Sequence, residues 1–367
     1  MLNDELLTYA KHLGFGELYF KIDQAHSLYG VIAIHSTRLG PALGGCRFLE
    51  YSSIDRAIHD ALRLAQGMSY KAAMANLPLG GGKTVLMRPK QLADRDTYFR
   101  AVGRFVNDLK GRYIIAMDSG VVSGDMDSIA LETPHVVTTS KYQGNPAPYT
   151  ALGVLRGIEA AVKFKFNRDS LQGLHIAIQG LGQVGYHLAS RLHARGVVLS
   201  VCDHDEKRMA QCAKELNANR VSPEEIYGIQ CDVFSPCALG AILNDASIPR
   251  LKAAIVAGAA NNQLAQPQHA KQLQDKDILY APDYVINAGG LIYAYAEYRH
   301  HINKTFVEKH IQTIYDTLLE LFKRASDENK LPHVVADDMA EARLYSQPLD
   351  FQQGAANARK MECIDAP

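Results

Sequence analysis

Leu174-His175-Ile176-Ala177-Ile178-Gln179 runs directly into Gly180-Leu181-Gly182-Gln183-Val184-Gly185, and the stretch closes on Val197–Cys202 and Asp203. The first six residues are an apolar run of strand length. After the glycines, Val184, Leu188, Ala189 and Leu192 recur at helical spacing, and Val197–Cys202 is a second strand, so the stretch is one βαβ unit of about 30 residues. A GxGxxG pattern alone is weak evidence. Here a preceding strand, a following helix and an acid 18 positions beyond Gly185 are all in place. Gly180 permits the tight turn, Gly182 lets backbone approach a pyrophosphate, and Gly185 lets helix and sheet close together. The helix start at Leu181, Gln183 and Val184 favours phosphate charge. Asp203 is placed to accept from two ribose hydroxyls, and its charge opposes a 2′-phosphate. The residues therefore predict a dinucleotide, NAD rather than NADP.

Reading outward, short apolar strands at 231–234, 253–257 and 278–280 alternate with helical composition, the pattern of a doubly wound parallel sheet. Upstream lies a different α/β unit. It has strands at 18–24 and 30–35, a helix capped by Ser53, a glycine loop at 77–82, a strand from Lys83 to Met87, a helix over about 97–109 and a strand from Tyr113 to Met117. The expected fold is α/β, with two domains separated by a cleft and the second a Rossmann-type doubly wound parallel sheet. The division predicted is 1–140 and 141–329, with the turn-rich Gly144–Pro148 as hinge and a C-terminal helical segment, about 330–367, returning to the first domain before a frayed tail. Thr305-Phe306-Val307-Glu308 reads as a capping box heading an amphipathic helix.

A chain of 367 residues is long enough for two cores. Lys+Arg and Asp+Glu each number 39, so no global positive field exists to hold nucleic acid. No uncharged apolar run is long enough to span a bilayer, and the acidic start Asn3-Asp4-Glu5 is unlike a signal or transit peptide; a cytoplasmic location is expected. The six cysteines form no CxxC pair and the 14 histidines no HExxH or Cys/His cluster, so neither disulfides nor a metal centre are predicted.

Two lysines stand out from their surroundings. Lys71 lies between Tyr70 and Ala72-Ala73-Met74-Ala75, and Lys83 between three glycines and Thr84-Val85-Leu86. Desolvation and a like-charged neighbour both lower a lysine pKa, which suits one of them to proton transfer; two lysines laying their stems along apolar surface would look the same. A P-loop is excluded, because Leu77 stands where its first glycine belongs and Lys83-Thr84 heads a strand. Asp118, at the tip of the apolar strand Tyr113–Met117, is placed like a catalytic base, and reads equally as an Asx turn or helix cap.

Taken together, Gly40-Pro41-Ala42-Leu43-Gly44-Gly45, Gly67-Met68-Ser69-Tyr70-Lys71, Gly80-Gly81-Gly82-Lys83-Thr84-Val85, Ser235-Pro236-Cys237-Ala238-Leu239-Gly240, Gly258-Ala259-Ala260-Asn261-Asn262-Gln263 and Ala281-Pro282-Asp283-Tyr284 through Gly290 resemble the Glu/Leu/Phe/Val amino-acid dehydrogenase family, most of all its leucine-acting members. The resemblance implies reversible NAD-dependent oxidative deamination of a hydrophobic L-amino acid to its 2-oxo acid and ammonia. It implies Lys83 and Asp118 as catalytic residues, and Lys71, Gly44 and Asn262 at the substrate. Thr150, Cys237, Ala238, Asn261 and Asn287 would join Gly180–Gly185 and Asp203 at the cofactor. It also implies a homo-oligomer built through the first domain. Met117 before Asp118, Ser119-Gly120-Val121 after it, Gly82 and Cys46 depart from the pattern of the leucine-acting enzymes. Leu43, Ala116, Leu291 and Ala294 would form an apolar side-chain pocket with no cation for a glutamate side chain. The smallness of Ala116 and Ala294 leaves an aromatic substrate, phenylalanine or tryptophan, as the alternative. A non-catalytic NAD-binding sensor would have lost Lys71, Lys83 or Asp118, and all three are present.

Overall fold

The computed structural model describes residues 4–14, 16–142, 145–300 and 303–346. Gly144 of the expected hinge, the tail beyond 346 and Cys363 lie outside the described residues. The chain divides into two compact units: the first takes residues up to 142 with 294–300 and 340–346, the second 145–293 and 303–339.

Unit 1 opens with α1 (Asp4–His12), β1 (Glu17–Asp23) and β2 (Leu28–Ser36), continues through β3 (Ala42–Leu49), α2 (Ile54–Met74), β4 (Gly80–Met87) and α3 (Arg95–Asn107), and ends this run with β5 (Tyr113–Met117) and α4 (Ser123–Ala130). Its sheet has the order β1-β2-β4-β3-β5, with β3 parallel to both neighbours and β2 antiparallel to both of its own. Ser53 caps α2 as predicted, accepting the Arg56 N–H. Small residues Ala57, Ala61 and Ala65 bring α2 close to Val31, Ala33 and Val85 on one face of the sheet. The other face carries Ile32, Cys46, Phe48, Leu86 and Ile115 against Phe99, Val102 and Val106 of α3. Two readings are corrected here. The glycines at 80–82 are the start of β4 rather than a loop, because they are paired with β2 and β3. β3 itself, Gly44 and Gly45 included, is a strand that glycine's low strand propensity concealed.

Unit 2 contains α5 (Ala147–Phe166), β6 (His175–Gln179), α6 (Gln183–His193), β7 (Val198–Cys202), α7 (Glu206–Leu216), β8 (Asn219–Arg220), β9 (Val233–Pro236), β10 (Ile255–Val256), α8 (His269–Asp275), β11 (Leu279–Tyr280) and α9 (Asp283–Ile286). Then come α10 (Gly289–Tyr298), α11 (Lys304–Asp327) and α12 (Pro332–Tyr345); the division between units falls within α10 and α12. Its sheet, β11-β10-β9-β6-β7-β8, is parallel throughout, so the doubly wound Rossmann-type reading holds. The capping box at Thr305 does not form. Asn303 is the cap instead, its side chain accepting the Thr305 N–H, so the helix starts two residues earlier than read; its buried stripe includes Val307, Ile311, Ile314, Leu318, Leu321 and Phe322. That stripe packs in part on α5, with the Phe164 and Phe322 rings 5.5 Å apart.

Candidate active site

In unit 1 the strand register brings the chemical residues onto the α2 face. Ala33 opposes Lys83, Gly45 opposes Ala116, and side chains alternate along a strand, so Lys83, Gly45, Arg47, Ala116 and Asp118 point the same way. Lys83 Nζ lies 2.5 Å from Asp118 Oδ2, and Lys83 is 6% exposed. The intervening β3 leaves room because its residue there is glycine: a Cβ at Gly45 would sit 2.7 Å from Asp118 Cβ and 3.0 Å from Lys83 Nζ.

Behind the pair stands a second charge layer that the sequence did not disclose. Arg47 Nε is 3.3 Å from Asp118 Oδ2 and its Nη1 2.8 Å from Asp60 Oδ2. Asp60 is held in turn by Tyr51 and Arg63. Its signal lies in the fold rather than in the sequence: Arg47 is two residues past Gly45 on β3, a strand the sequence conceals, and a half-buried cation needs a carboxylate. Burial pushes the Lys83 pKa down against the opposing pull of Asp118, and the Arg47 charge lowers it further. Burial pushes Asp118 up, but Lys83 and Arg47 together hold it below the usual aspartate value. Cys46 beside them is raised well above an ordinary thiol by burial and stays neutral.

Of the other unit 1 candidates, Leu43 is buried on β3, the Gly44 carbonyl accepts the Tyr113 hydroxyl at 2.9 Å, and Ala116 is buried at the end of β5. Lys71 is half-buried in the last turn of α2. The register places Ala116 beside the Lys83–Asp118 pair. Ala294 lies in the part of α10 that belongs to unit 1, and Leu291 in the part that belongs to unit 2; both are buried.

In unit 2 the turn residue Gly180 has φ +98°, donates to the Cys202 carbonyl at 2.7 Å, and lies so close to Cys237 and Ala238 that a Cβ would meet Ala238 at 2.8 Å. Gly182 caps α6, whose first N–H groups, from Gln183 and Val184 onward, have no partner within the helix. Gln183 accepts from Asn145 at 2.9 Å, and Leu181 and Gly185 are buried. Asp203 Oδ2 accepts the Leu181 N–H at 2.6 Å and Oδ1 the Asp205 N–H at 2.9 Å, so it braces the turn and has lone pairs left for a ribose. Arg208, which would otherwise favour an added phosphate, is engaged by Asp205 at 3.3 Å and stands 4.0 Å from Asp203.

Asn287 donates to Ala259 O at 3.0 Å and Asn261 Oδ1 at 2.7 Å, while its own buried Oδ1 has no partner. Such an orphan acceptor fits the amide of a nicotinamide. Thr150 packs against the start of α10, where a Cβ on Gly290 would lie 2.8 Å from its Oγ1. Asn262, at φ +51°, accepts the Ala241 N–H through its carbonyl.

A glycine-braced dinucleotide turn in one unit and a buried lysine–aspartate pair in the other define a nucleotide-dependent enzyme of two α/β units. The Glu/Leu/Phe/Val dehydrogenase dimerisation domain matches residues 17–135, and the Glutamate/Leucine/Phenylalanine/Valine dehydrogenase domain matches 197–344. The chain is 46% identical to leucine dehydrogenase of Geobacillus stearothermophilus over 93% of each chain. It is 44% identical to L-tryptophan dehydrogenase of Nostoc punctiforme over 92% of this chain and 96% of that one. The crystal structure of L-tryptophan dehydrogenase from that organism superposes with a TM-score of 0.84 at 41% identity, covering 96% and 99% of the two chains. The protein therefore belongs to the Glu/Leu/Phe/Val dehydrogenase family, whose members are pyridine-nucleotide-dependent amino-acid dehydrogenases, oxidoreductases acting on CH–NH2.

Gly45→Ala should fold normally by circular dichroism, because the sheet is unchanged, yet lose about 10- to 100-fold in kcat as the added methyl pushes Asp118 from Lys83. Wild-type kcat would refute that geometry. If the neutral Lys83 amine acts as the base, its lowered pKa makes log kcat/KM for deamination rise with pH through an ionisation below the ordinary lysine value of about 10.4. A pH–rate profile checks this, and Lys83→Arg should abolish that limb along with most of the activity.

Proposed function

We propose that the protein catalyses the reversible NAD-dependent oxidative deamination of a branched-chain aliphatic L-amino acid, leucine, valine or isoleucine, to its 2-oxo acid and ammonia. The observation that carries this reading is the Lys83–Asp118 pair, 2.5 Å apart, with Lys83 buried and Asp118 partly exposed. Lys71 holds the substrate carboxylate, helped by Asn262 and the backbone at Gly44. Asp118 accepts a proton from the substrate ammonium, so that the nitrogen lone pair can assist departure of hydride from Cα, and returns it when ammonia leaves. Lys83 takes a proton from the water that adds to the resulting iminium carbon, releases it to solvent, takes the hydroxyl proton as ammonia leaves and the C=O bond forms, and polarises the oxo group in the reverse direction. The nucleotide, when bound, supplies the hydride acceptor. The turn Gly180–Gly185, with Cys237 and Ala238 against it, would hold the pyrophosphate, Asp203 the adenosine ribose, and Thr150, Asn261 and Asn287 the nicotinamide end. Unit 1 then serves substrate binding and assembly and unit 2 the cofactor.

Leu43, Ala116, Leu291 and Ala294, all apolar, support a hydrophobic substrate. The small Ala116 and Ala294 favour the second reading, an aromatic amino acid, as does the likeness to a tryptophan enzyme. Initial rates of NADH formation at 340 nm with each proteinogenic L-amino acid, run in parallel with NADP, decide between them. The expected result is highest kcat/KM with an aliphatic branched substrate and NAD at least about tenfold better than NADP. A preference for phenylalanine or tryptophan would replace the first reading by the second, and no turnover with any substrate would remove both.

A homo-oligomer through unit 1 is supported by its free sheet edge. Among the described residues β1 pairs on one side with β2 and has no strand on the other, while Ile22, Phe20, Tyr29 and Ile54 leave apolar surface exposed there. Light scattering should give a mass of at least two chains, and Ile22→Lys should lower it without unfolding the protein.

A further inference from the structure

We infer that Thr138, held by Glu297, is the residue that positions Asp118 from the side of β5 away from β3. On that side residues 135–137 run parallel to β5: Ile115 N–H donates to His135 O at 3.0 Å and Val137 N–H to Ile115 O at 2.9 Å. The next rung of such a ladder would join Met117 N–H to the Val137 carbonyl. A hydroxyl takes that rung. Thr138 Oγ1 accepts the Met117 N–H at 2.7 Å and donates to the Val137 carbonyl at 2.5 Å.

The insertion requires Thr138 to turn out of the strand, and its φ is +65°. It is the β-branched member of the non-glycine residues with positive φ among those described, and a β-branched side chain there is a backbone outlier that only its surroundings can hold. Glu297 does the holding. It is 2% exposed, its Oε1 accepts the Thr138 N–H at 2.7 Å, and the Thr139 N–H also donates to it. Burial pushes the Glu297 carboxyl up and these two donors pull it back, so its evident task is to fix two backbone amides. Glu297 lies one turn beyond Ala294 on α10, which ties the anchor to a helix that also carries candidate specificity residues.

The consequence falls on Asp118. Met117 is the last residue of β5 and is 40% exposed, so its side chain does not pin the strand end. On the β3 side Met117 is paired with Cys46, and the Phe48 N–H reaches the Ser119 carbonyl at 2.9 Å beyond the carboxylate; on the outer side the Thr138 hydroxyl holds the Met117 N–H. Thr138 is thus a positioning residue, acting through the Met117 backbone. This inference rests on the reading of Asp118 as the proton-transfer group.

The test compares Thr138→Val, which keeps the shape and removes the hydroxyl, with Thr138→Ser, which keeps the hydroxyl, in the full-length enzyme. Thr138→Ser should retain kcat within about twofold. Thr138→Val should lose about 10- to 100-fold in kcat while substrate KM and NADH affinity by fluorescence titration change less than about threefold, and Glu297→Ala should show the same split. Asp118→Asn is the control for the underlying reading. If it is inactive and Thr138→Val matches Thr138→Ser, the positioning role is overturned and Asp118 stands; if Asp118→Asn is active, the reading of Asp118 itself falls. Parallel loss of kcat, NADH binding and melting temperature in both Thr138 variants would mark a merely structural residue and overturn the inference.

Discussion

An ammonium and a carboxylate 2.5 Å apart in a nearly closed part of the protein impose a demand on everything around them. Each charge taken from water costs several kcal/mol, and mutual attraction offsets this only when the geometry is good and the remaining lone pairs are satisfied. Unit 1 is arranged to meet that condition. Lys83 and Asp118 come from strands that are not neighbours, so β3 must pass between them without a side chain, which Gly45 provides. Lys83 and Arg47 supply the positive charge that keeps Asp118 ionised despite burial, and Asp60 holds Arg47 in place. The same desolvation keeps Lys83 below an ordinary lysine. A residue that must hold a proton at one step and release it at another gains from such an unresolved balance.

Glycine meets opposite needs in the two units. In unit 2 it makes the turn at Gly180 possible and brings α6 close to the sheet, and the local pattern of strand, glycines, helix and acid announced this in the sequence. In unit 1 glycines lie within strands, where they cost backbone entropy and have no side chain to pack. Their purpose appears only when three strands are seen side by side. This is why the dinucleotide fold was legible from residues 174–203 alone, while β3 was invisible as a strand and Gly80–Gly82 looked like a loop.

The site follows the same division. Lys83 and Asp118 could be singled out because a lysine among glycines and an aspartate at a strand tip are locally anomalous. Arg47, Asp60, Thr138 and Glu297 are ordinary residues in ordinary local settings. Their roles depend on contacts across the unit: Glu297 is 159 positions from the amide it holds, and no periodicity or spacing encodes such a pairing. The error at Thr305 has a similar source. Thr305 and Glu308 satisfy the capping pattern, but Asn303 two residues earlier accepts the Thr305 N–H and starts the helix before Thr305 can.

Selectivity in the proposed reaction is then unequal in a way that follows from energetics. The residues proposed for the substrate side chain, Leu43, Ala116, Leu291 and Ala294, bring no cation of their own, so a glutamate side chain would gain no partner from them. That rejection rests on charge, not on shape. The choice among leucine, valine and an aromatic ring rests on volume, where a methylene changes the balance by only about 1–3 kcal/mol. The chain's likeness to both a leucine dehydrogenase and an L-tryptophan dehydrogenase is in keeping with so small a margin. Among the residues proposed for the side chain, Ala116 is set by the register beside Gly45, and Gly45 lies against Lys83 and Asp118. If Ala116 lines the substrate site as proposed, enlarging it would press on substrate and on the Lys83–Asp118 geometry together, so substrate size and alignment of the pair would be coupled at that position, whereas Ala294 on α10 is not tied to the pair by that register.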